Sequence, residues 1–172
     1  MLVLIIGLGS IAKKHVIALK KMNIKCEIYA LRSGNSAKIT QGIINIKHFV
    51  ELPKKPDFAI ISNPTSYHKI TIEKLLEHNI PMFIEKPTFH NLEGVDKLVK
   101  SVNNSKLVNY VACNFRFHPC IEFLKNILPN GNKKINEINV YCGSYLPDWR
   151  AGNDFKKNYS SIKELGGGVH LD

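Results

Sequence analysis

Two short stretches combine residue types at spacings that can do chemistry, and each begins where an apolar run ends. Gly7-Leu8-Gly9-Ser10-Ile11-Ala12 fits the pattern G-x-G-x-x-G/A. In that pattern the first glycine permits a tight turn, the second lets a pyrophosphate approach the backbone, and the small last residue keeps helix and strand close. A helix starting there aims its free N–H groups and the positive end of its dipole at phosphate. The pattern alone is weak evidence. Between a strand and a helix, at the start of an alternating α/β chain, it favours a dinucleotide site over a structural turn. The second stretch is Glu85-Lys86-Pro87. An ammonium beside a substrate hydroxyl orients it and eases the loss of its proton as hydride leaves. A plain surface salt bridge between neighbours is the competing reading.

Further candidates stand at other strand ends. The strand over 26–31 is followed by Arg32-Ser33-Gly34. An NAD site usually has Asp or Glu here, about 20 residues past the glycines, to hold the ribose 2′-hydroxyl. Leu31 cannot accept that bond, whereas Arg32 and Ser33 suit a 2′-phosphate. NADP is therefore expected over NAD, with a solvated loop arginine as the alternative. The strand over 58–62 runs into Asn63-Pro64-Thr65-Ser66, where Pro64 stops it and Thr65 or Ser66 can cap the next helix. Ligands of open parallel sheets bind outside the carboxyl ends of strands. Ser62, Asn63 and Pro64 therefore join Gly7, Gly9, Ser10, Ile11, Arg32 and Ser33 as cofactor-binding candidates. His68, in the first turn of that helix, is open to a cofactor contact or to a capping or packing role. His15 is expected to pack or to make a structural hydrogen bond.

The elements that position these residues alternate. Leu2–Ile6 is a continuous apolar run, as in a parallel strand buried on both faces. A helix over 11–22 carries Ile11, Val16, Leu19 and Met22 as its apolar stripe, with Lys13, Lys14, Lys20 and Lys21 on a solvated face. A short strand over 42–46, one helical turn over 47–52, a helix reaching about residue 78 and a strand over 81–84 follow. A helix over 92–102 precedes the last strand of the first domain, at 107–113. Residues 114–119 read as a crossing between domains and 121–128 as a short helix. Residues 135–145 alternate as a strand of a different sheet. Up to about Cys113 this alternation is what a doubly wound sheet requires.

Composition narrows the classes. At 172 residues the chain can bury one good core with some chain to spare. No apolar run reaches the ~20 residues of a membrane span. The apolar start lacks a basic n-region and a cleavage-type end, so the expected compartment is the cytoplasm. Cys26, Cys113, Cys120 and Cys142 form no C-x-x-C pair and no zinc spacing, and no metal site is expected. The formal charge is +10, yet nearly all of the positive charge is scattered lysine, and arginine occurs only at Arg32, Arg116 and Arg150. That scatter argues against a nucleic-acid surface but still attracts anionic small molecules.

With GLGSIAKKH at 7–15, NPTSYH at 63–68, EKP at 85–87, NFRFHP at 114–119 and ELGGGVHLD at 164–172, the chain resembles the glucose–fructose oxidoreductase, inositol dehydrogenase and MocA family. The stretch from Tyr145 through the triple glycine further resembles members of nucleotide-sugar and surface-glycan metabolism. The resemblance implies a Rossmann-type doubly wound parallel sheet over 1–115. Residues 116–172 would be the incomplete start of a C-terminal α/β domain for substrate binding and homo-oligomer contact. It implies NAD or NADP as cofactor and hydride transfer at a secondary hydroxyl or keto carbon of a sugar, nucleotide sugar or cyclitol. Lys86 would be the substrate-orienting catalytic lysine, Glu85 and Pro87 would shape the nicotinamide pocket, and Arg116 would contribute to the cofactor site. Asp172 would be the catalytic aspartate that helps bind substrate. In the family a catalytic histidine follows that aspartate by about one helical turn, and His170 precedes it. The 172 residues are thus expected to be a fragment of a longer enzyme, the alternative being a non-catalytic dinucleotide-binding module.

Overall fold

The apolar run Leu2–Ile6 forms β1, the middle strand of a seven-stranded sheet ordered β3-β4-β2-β1-β5-β6-β7. The other strands are β2 (Glu27–Leu31), β3 (Ile39–Thr40), β4 (Ile43–Ile46), β5 (Phe58–Ile61), β6 (Met82–Ile84) and β7 (Asn109–Val111). All pairs are parallel except β3 on β4, a two-residue antiparallel edge not foreseen from the sequence. The main helices are α1 (Ser10–Lys21), α2 (His68–Glu77), α3 (Val95–Asn104) and α4 (Pro119–Ile127). This computed structural model describes residues 1–22, 24–34, 39–128, 134–149, 152 and 154–168.

The strand alternation sorts the core into two faces. Leu2, Leu4 and Ile6 pack with Ile72 and Leu75 of α2 and Leu98 of α3. Val3 and Ile5 pack with Ala12, Val16 and Leu19 of α1. The buried stripe of α1 is therefore Ala12-Val16-Leu19, while Ile11 and Met22 are exposed. The spacing i, i+4, i+7 selects one face, and the small Ala12 lets that face lie close to the sheet. Likewise α2 buries Thr71, Ile72 and Leu75 and leaves Ile70 exposed.

The chain divides into two compact units, Met1–Ala112 with Tyr159–Asp172, and Cys113–Asn158. The described segment 159–168, expected with the second domain, thus belongs to the first unit. In the second unit, α4 begins with Pro119 at its first turn, and Nδ1 of His118 accepts from the Cys120 N–H at 3.3 Å. Residues 135–145, expected as a strand, are not in a sheet. A strand exists only through its ladder to a neighbour, and no described segment of this unit supplies one. No helix among the described residues is long and apolar enough to cross a membrane.

Position in the sheet follows from this order. After β1 the chain builds outward through β2 and β4, then returns to the other flank of β1 as β5. The reversal opens a crevice at the carboxyl ends of β1, β2 and β5.

Candidate functional site

At the end of β1, Gly7 turns the chain with φ of 85°, a conformation that side chains rarely adopt. A Cβ on Gly7 would stand 2.6 Å from the Asn63 backbone, so the residue also allows two loops to touch. The turn is tied on both flanks. The Ser62 Oγ donates to the Gly7 carbonyl at 2.8 Å, and the Gly7 N–H donates to the Leu31 carbonyl at 3.3 Å. Gly9 differs. Its φ is −84°, and nothing lies within 4 Å of where its Cβ would be. Its missing side chain leaves open space above the start of α1. No side chain caps α1 there and its first turn holds no acidic residue, so the positive end of the dipole faces that space.

A cavity of about 790 Å³ lies at this edge. The ends of β1, β2 and β4 supply Gly7, Arg32 with Ser33, and Lys47, the turn after β5 supplies Asn63 and Pro64, and Tyr67, Thr71 and Lys74 come from the turn before α2 and from α2 itself. The sequence candidates Gly7, Arg32, Ser33, Asn63 and Pro64 thus line one cavity. Among the described residues, Arg32, Lys47 and Lys74 are the cations that line the cavity, and no carboxylate lines it. Leu31 pairs with Ile46 in the register of β2 and β4, and the Arg32 N–H donates to the Ile46 carbonyl at 3.0 Å. Arg32 and Lys47 therefore leave the sheet side by side. Glu51, in the 3-10 turn after β4, accepts from the backbone N–H groups of Lys47 and His48 at 2.8 Å each. Those two bonds hold its carboxyl below the usual carboxylate range.

Asn63 spans the cavity wall and the interior. Its Nδ2 donates to Thr71 Oγ1 at 3.0 Å, while its Oδ1 is buried with no hydrogen-bond partner. A buried acceptor left unpaired costs about 1–3 kcal/mol and suits a ligand hydroxyl or amino donor. His68 is only 1% exposed and its Nε2–H donates to the Asn63 carbonyl at 2.9 Å. The side chain is enclosed and tied to the backbone of Asn63, a cavity-lining residue. Burial pushes its pKa down, opposed chiefly by that carbonyl, so the imidazole is neutral with its proton on Nε2.

The Glu85-Lys86-Pro87 stretch follows β6. Glu85 is buried. Its Oε1 accepts from His15 Nε2 at 2.5 Å and its Oε2 from the Lys86 N–H at 3.2 Å. His15, on α1, also packs edge-on against Phe83 with ring centroids 5.4 Å apart, the structural role expected of it. Lys86 is exposed. Ser10 and Ile11 open α1 at the exposed helix start. Arg116 lies in the 3-10 turn Asn114–Phe117, within the second unit. Asp172 falls outside the described residues.

Sequence reasoning missed Lys47, Tyr67, Thr71 and Lys74. A signal existed for three of them, since positions 67, 71 and 74 share one helical face. Nothing local marked Lys47, whose place depends on strand register.

Residues 1–113 match the oxidoreductase family GFO_IDH_MocA, described as an NAD-binding Rossmann fold. The uncharacterized oxidoreductase YrbE of Bacillus subtilis (strain 168) is 30% identical over 134 residues, 74% of this chain and 39% of that protein. The WlbA dehydrogenase of Chromobacterium violaceum, solved with NADH and UDP-GlcNAcA, superposes with a TM-score of 0.65 at 21% identity, over 73% of this chain and 39% of its own. UDP-N-acetylglucosamine 3-dehydrogenase GnnA of Acidithiobacillus ferrooxidans does so at 0.62 and 22% identity, over 73% and 42%. The two solved structures establish the Rossmann-like fold. The chain spans about two fifths of the length of these relatives.

Proposed function

Since this chain belongs to the GFO_IDH_MocA oxidoreductase family, we propose that it is the cofactor-binding part of an NADP(H)-preferring enzyme. Its reaction is hydride transfer to or from a secondary hydroxyl or keto carbon of a sugar, nucleotide sugar or cyclitol. The observation that carries this reading is the crevice wall built from Gly7, Asn63 and three cations. The pyrophosphate is served by the start of α1, and adenine and ribose are neutral. Arg32, Lys47 and Lys74, with the Ser33 hydroxyl beside them, therefore match a further phosphate. Leu31 holds the position where a carboxylate would select NAD. The Asn63 Oδ1, unpaired in the wall, accepts from the adenosine half of the cofactor.

When bound, the nicotinamide supplies the hydride acceptor or donor. Lys86, at the end of β6, orients the substrate hydroxyl and eases transfer of its proton. Glu85, fixed by His15, and Pro87 shape the pocket around it, and Asp172 assists substrate binding. Arg116 joins the cofactor site in the complete protein, where the second domain also provides a homo-oligomer contact. The four cysteines are free, which suits a cytoplasmic enzyme. The substrate class draws support from the sugar-nucleotide ligand of WlbA and the named substrate of GnnA.

The test is to titrate the 172-residue chain with NADPH and NADH separately, in the wild type and in Arg32→Ala. The wild type should bind NADPH more tightly, and Arg32→Ala should lose about tenfold for NADPH with little change for NADH. Clearly tighter NADH binding sinks the NADP preference. Binding of neither by a chain with a folded circular-dichroism spectrum reduces the glycine turn to a structural one.

A further inference from the structure

The segment 159–168 returns to the first unit and meets the loop after β5. The Tyr159 hydroxyl donates to the Gly166 carbonyl at 3.3 Å. Its single proton is thereby used, so Thr65 Oγ1, 2.5 Å away, is the donor in their mutual bond. Thr65 is 2% exposed. The backbone is fitted as closely as the side chains. A Cβ on Gly167 would fall 2.2 Å from the Tyr159 carbonyl oxygen, and one on Gly166, where φ is 86°, would fall 2.9 Å from Thr65 Cβ. The Gly167 N–H donates to the Ile162 carbonyl at 3.0 Å and the Gly166 N–H to Lys163 at 2.9 Å. Two glycines of the triple-glycine run thus serve close approach to a tyrosine turn and to the 63–66 loop.

That loop is itself fastened to the cofactor turn through Ser62 Oγ on the Gly7 carbonyl and through the backbone contact of Asn63 with Gly7. Gly7 touches Asn63, the chain continues through Pro64 to Thr65, and Thr65 meets Tyr159 and Gly166.

We propose that Tyr159 is a positioning residue whose hydroxyl latches the glycine segment 159–168 to Thr65. Cofactor binding against Gly7 and Asn63 then orders the segment that leads into Asp172. Tyr159 does not touch the cofactor; it acts through Thr65. This inference rests on the dinucleotide reading of the crevice.

The experiment is amide hydrogen exchange on the 172-residue chain with and without NADPH, paired with NADPH titration of Tyr159→Phe, Thr65→Val and Thr65→Ser. In the wild type, NADPH should slow exchange within 159–168. Tyr159→Phe should abolish that cofactor-dependent protection and weaken NADPH binding about three- to tenfold, with β1 as protected as before. Thr65→Val should reproduce both effects and Thr65→Ser, which keeps the hydroxyl, neither. The Tyr159→Phe/Thr65→Val pair should be no worse than either alone. If NADPH binds and exchange in 159–168 is unmoved, or if Tyr159→Phe behaves as wild type, the latch is overturned and the dinucleotide reading stands. If the wild type binds no dinucleotide, both fall. Where Tyr159→Phe fails to fold, Thr65→Val against Thr65→Ser reads the same bond, and protection lost in neither overturns the latch.

Discussion

The two glycines of the cofactor turn should separate folding from binding when each is replaced by alanine. Gly7 has φ of 85° and a would-be Cβ 2.6 Å from the Asn63 backbone. Left-handed backbone costs an alanine about 1–2 kcal/mol, and forcing a methyl against fixed backbone costs about 1–3 kcal/mol. The lower unfolded-state entropy of alanine offsets about 0.4–1 kcal/mol. Gly7→Ala should therefore destabilise by about 2–4 kcal/mol, a large share of the ~5–15 kcal/mol of a domain. Its melting midpoint should drop by about 4–16 °C. Gly9 has φ of −84° and ψ of −167°, which alanine adopts freely, and open space around its Cβ position. Gly9→Ala should melt no lower than wild type. On the proposed cofactor reading its methyl would stand where the pyrophosphate approaches, so a penalty of about 1–3 kcal/mol should weaken NADPH and NADH alike by about 5- to 150-fold. Thermal unfolding by circular dichroism and fluorescence titration read the two effects apart. Wild-type affinity in Gly9→Ala would refute the phosphate assignment, and wild-type melting in Gly7→Ala would refute the steric one.

Two further outcomes follow from single side chains. In the complete enzyme, Lys86→Ala should cut turnover by about 10²- to 10⁴-fold with cofactor affinity nearly unchanged; unaltered turnover rejects its catalytic role. His68, whose pKa burial pushes down, holds fewer protons folded than unfolded between its folded value and the ordinary histidine value. Stability should be full above that ordinary value and decline as pH falls through the window. Urea midpoints taken from about pH 7.5 to about pH 5.5 should fall less steeply in His68→Gln, and an identical slope would show that His68 does not carry the effect.

The parts legible from sequence were those whose cause is local. Leu2–Ile6 reads as a two-sided strand because every residue is apolar, and the glycine turn reads as such because its spacing sits directly between strand and helix. Arg32 was found because β2 must end where the apolar run stops. The stripe of α1 was read correctly at Val16 and Leu19 but not at its ends, since Ile11 and Met22 outrank Ala12 in hydrophobicity although Ala12 is the residue small enough to face the sheet. Residues 135–145 carry the alternation of a strand, but alternation records only which side would be buried. The ladder must come from another segment, and the described residues of that unit contain none.

What stayed hidden was every contact made by distant chain. Lys47 stands beside Arg32 only because Leu31 pairs with Ile46, a register that no short window reveals, and Lys74 joins them from α2 across the cavity. The net charge of +10, diffuse when read along the chain, therefore has a local meaning in the fold. Three cations line one cavity in which no described residue is a carboxylate, and a desolvated anion there gains more than it does from the same charges spread over the surface. Affinity for NADPH should accordingly fall with added salt more steeply than affinity for NADH, because the extra phosphate meets the extra cations. Parallel salt dependence of the two cofactors would mean that the three cations serve solubility and that the adenosine end of the crevice reads only shape.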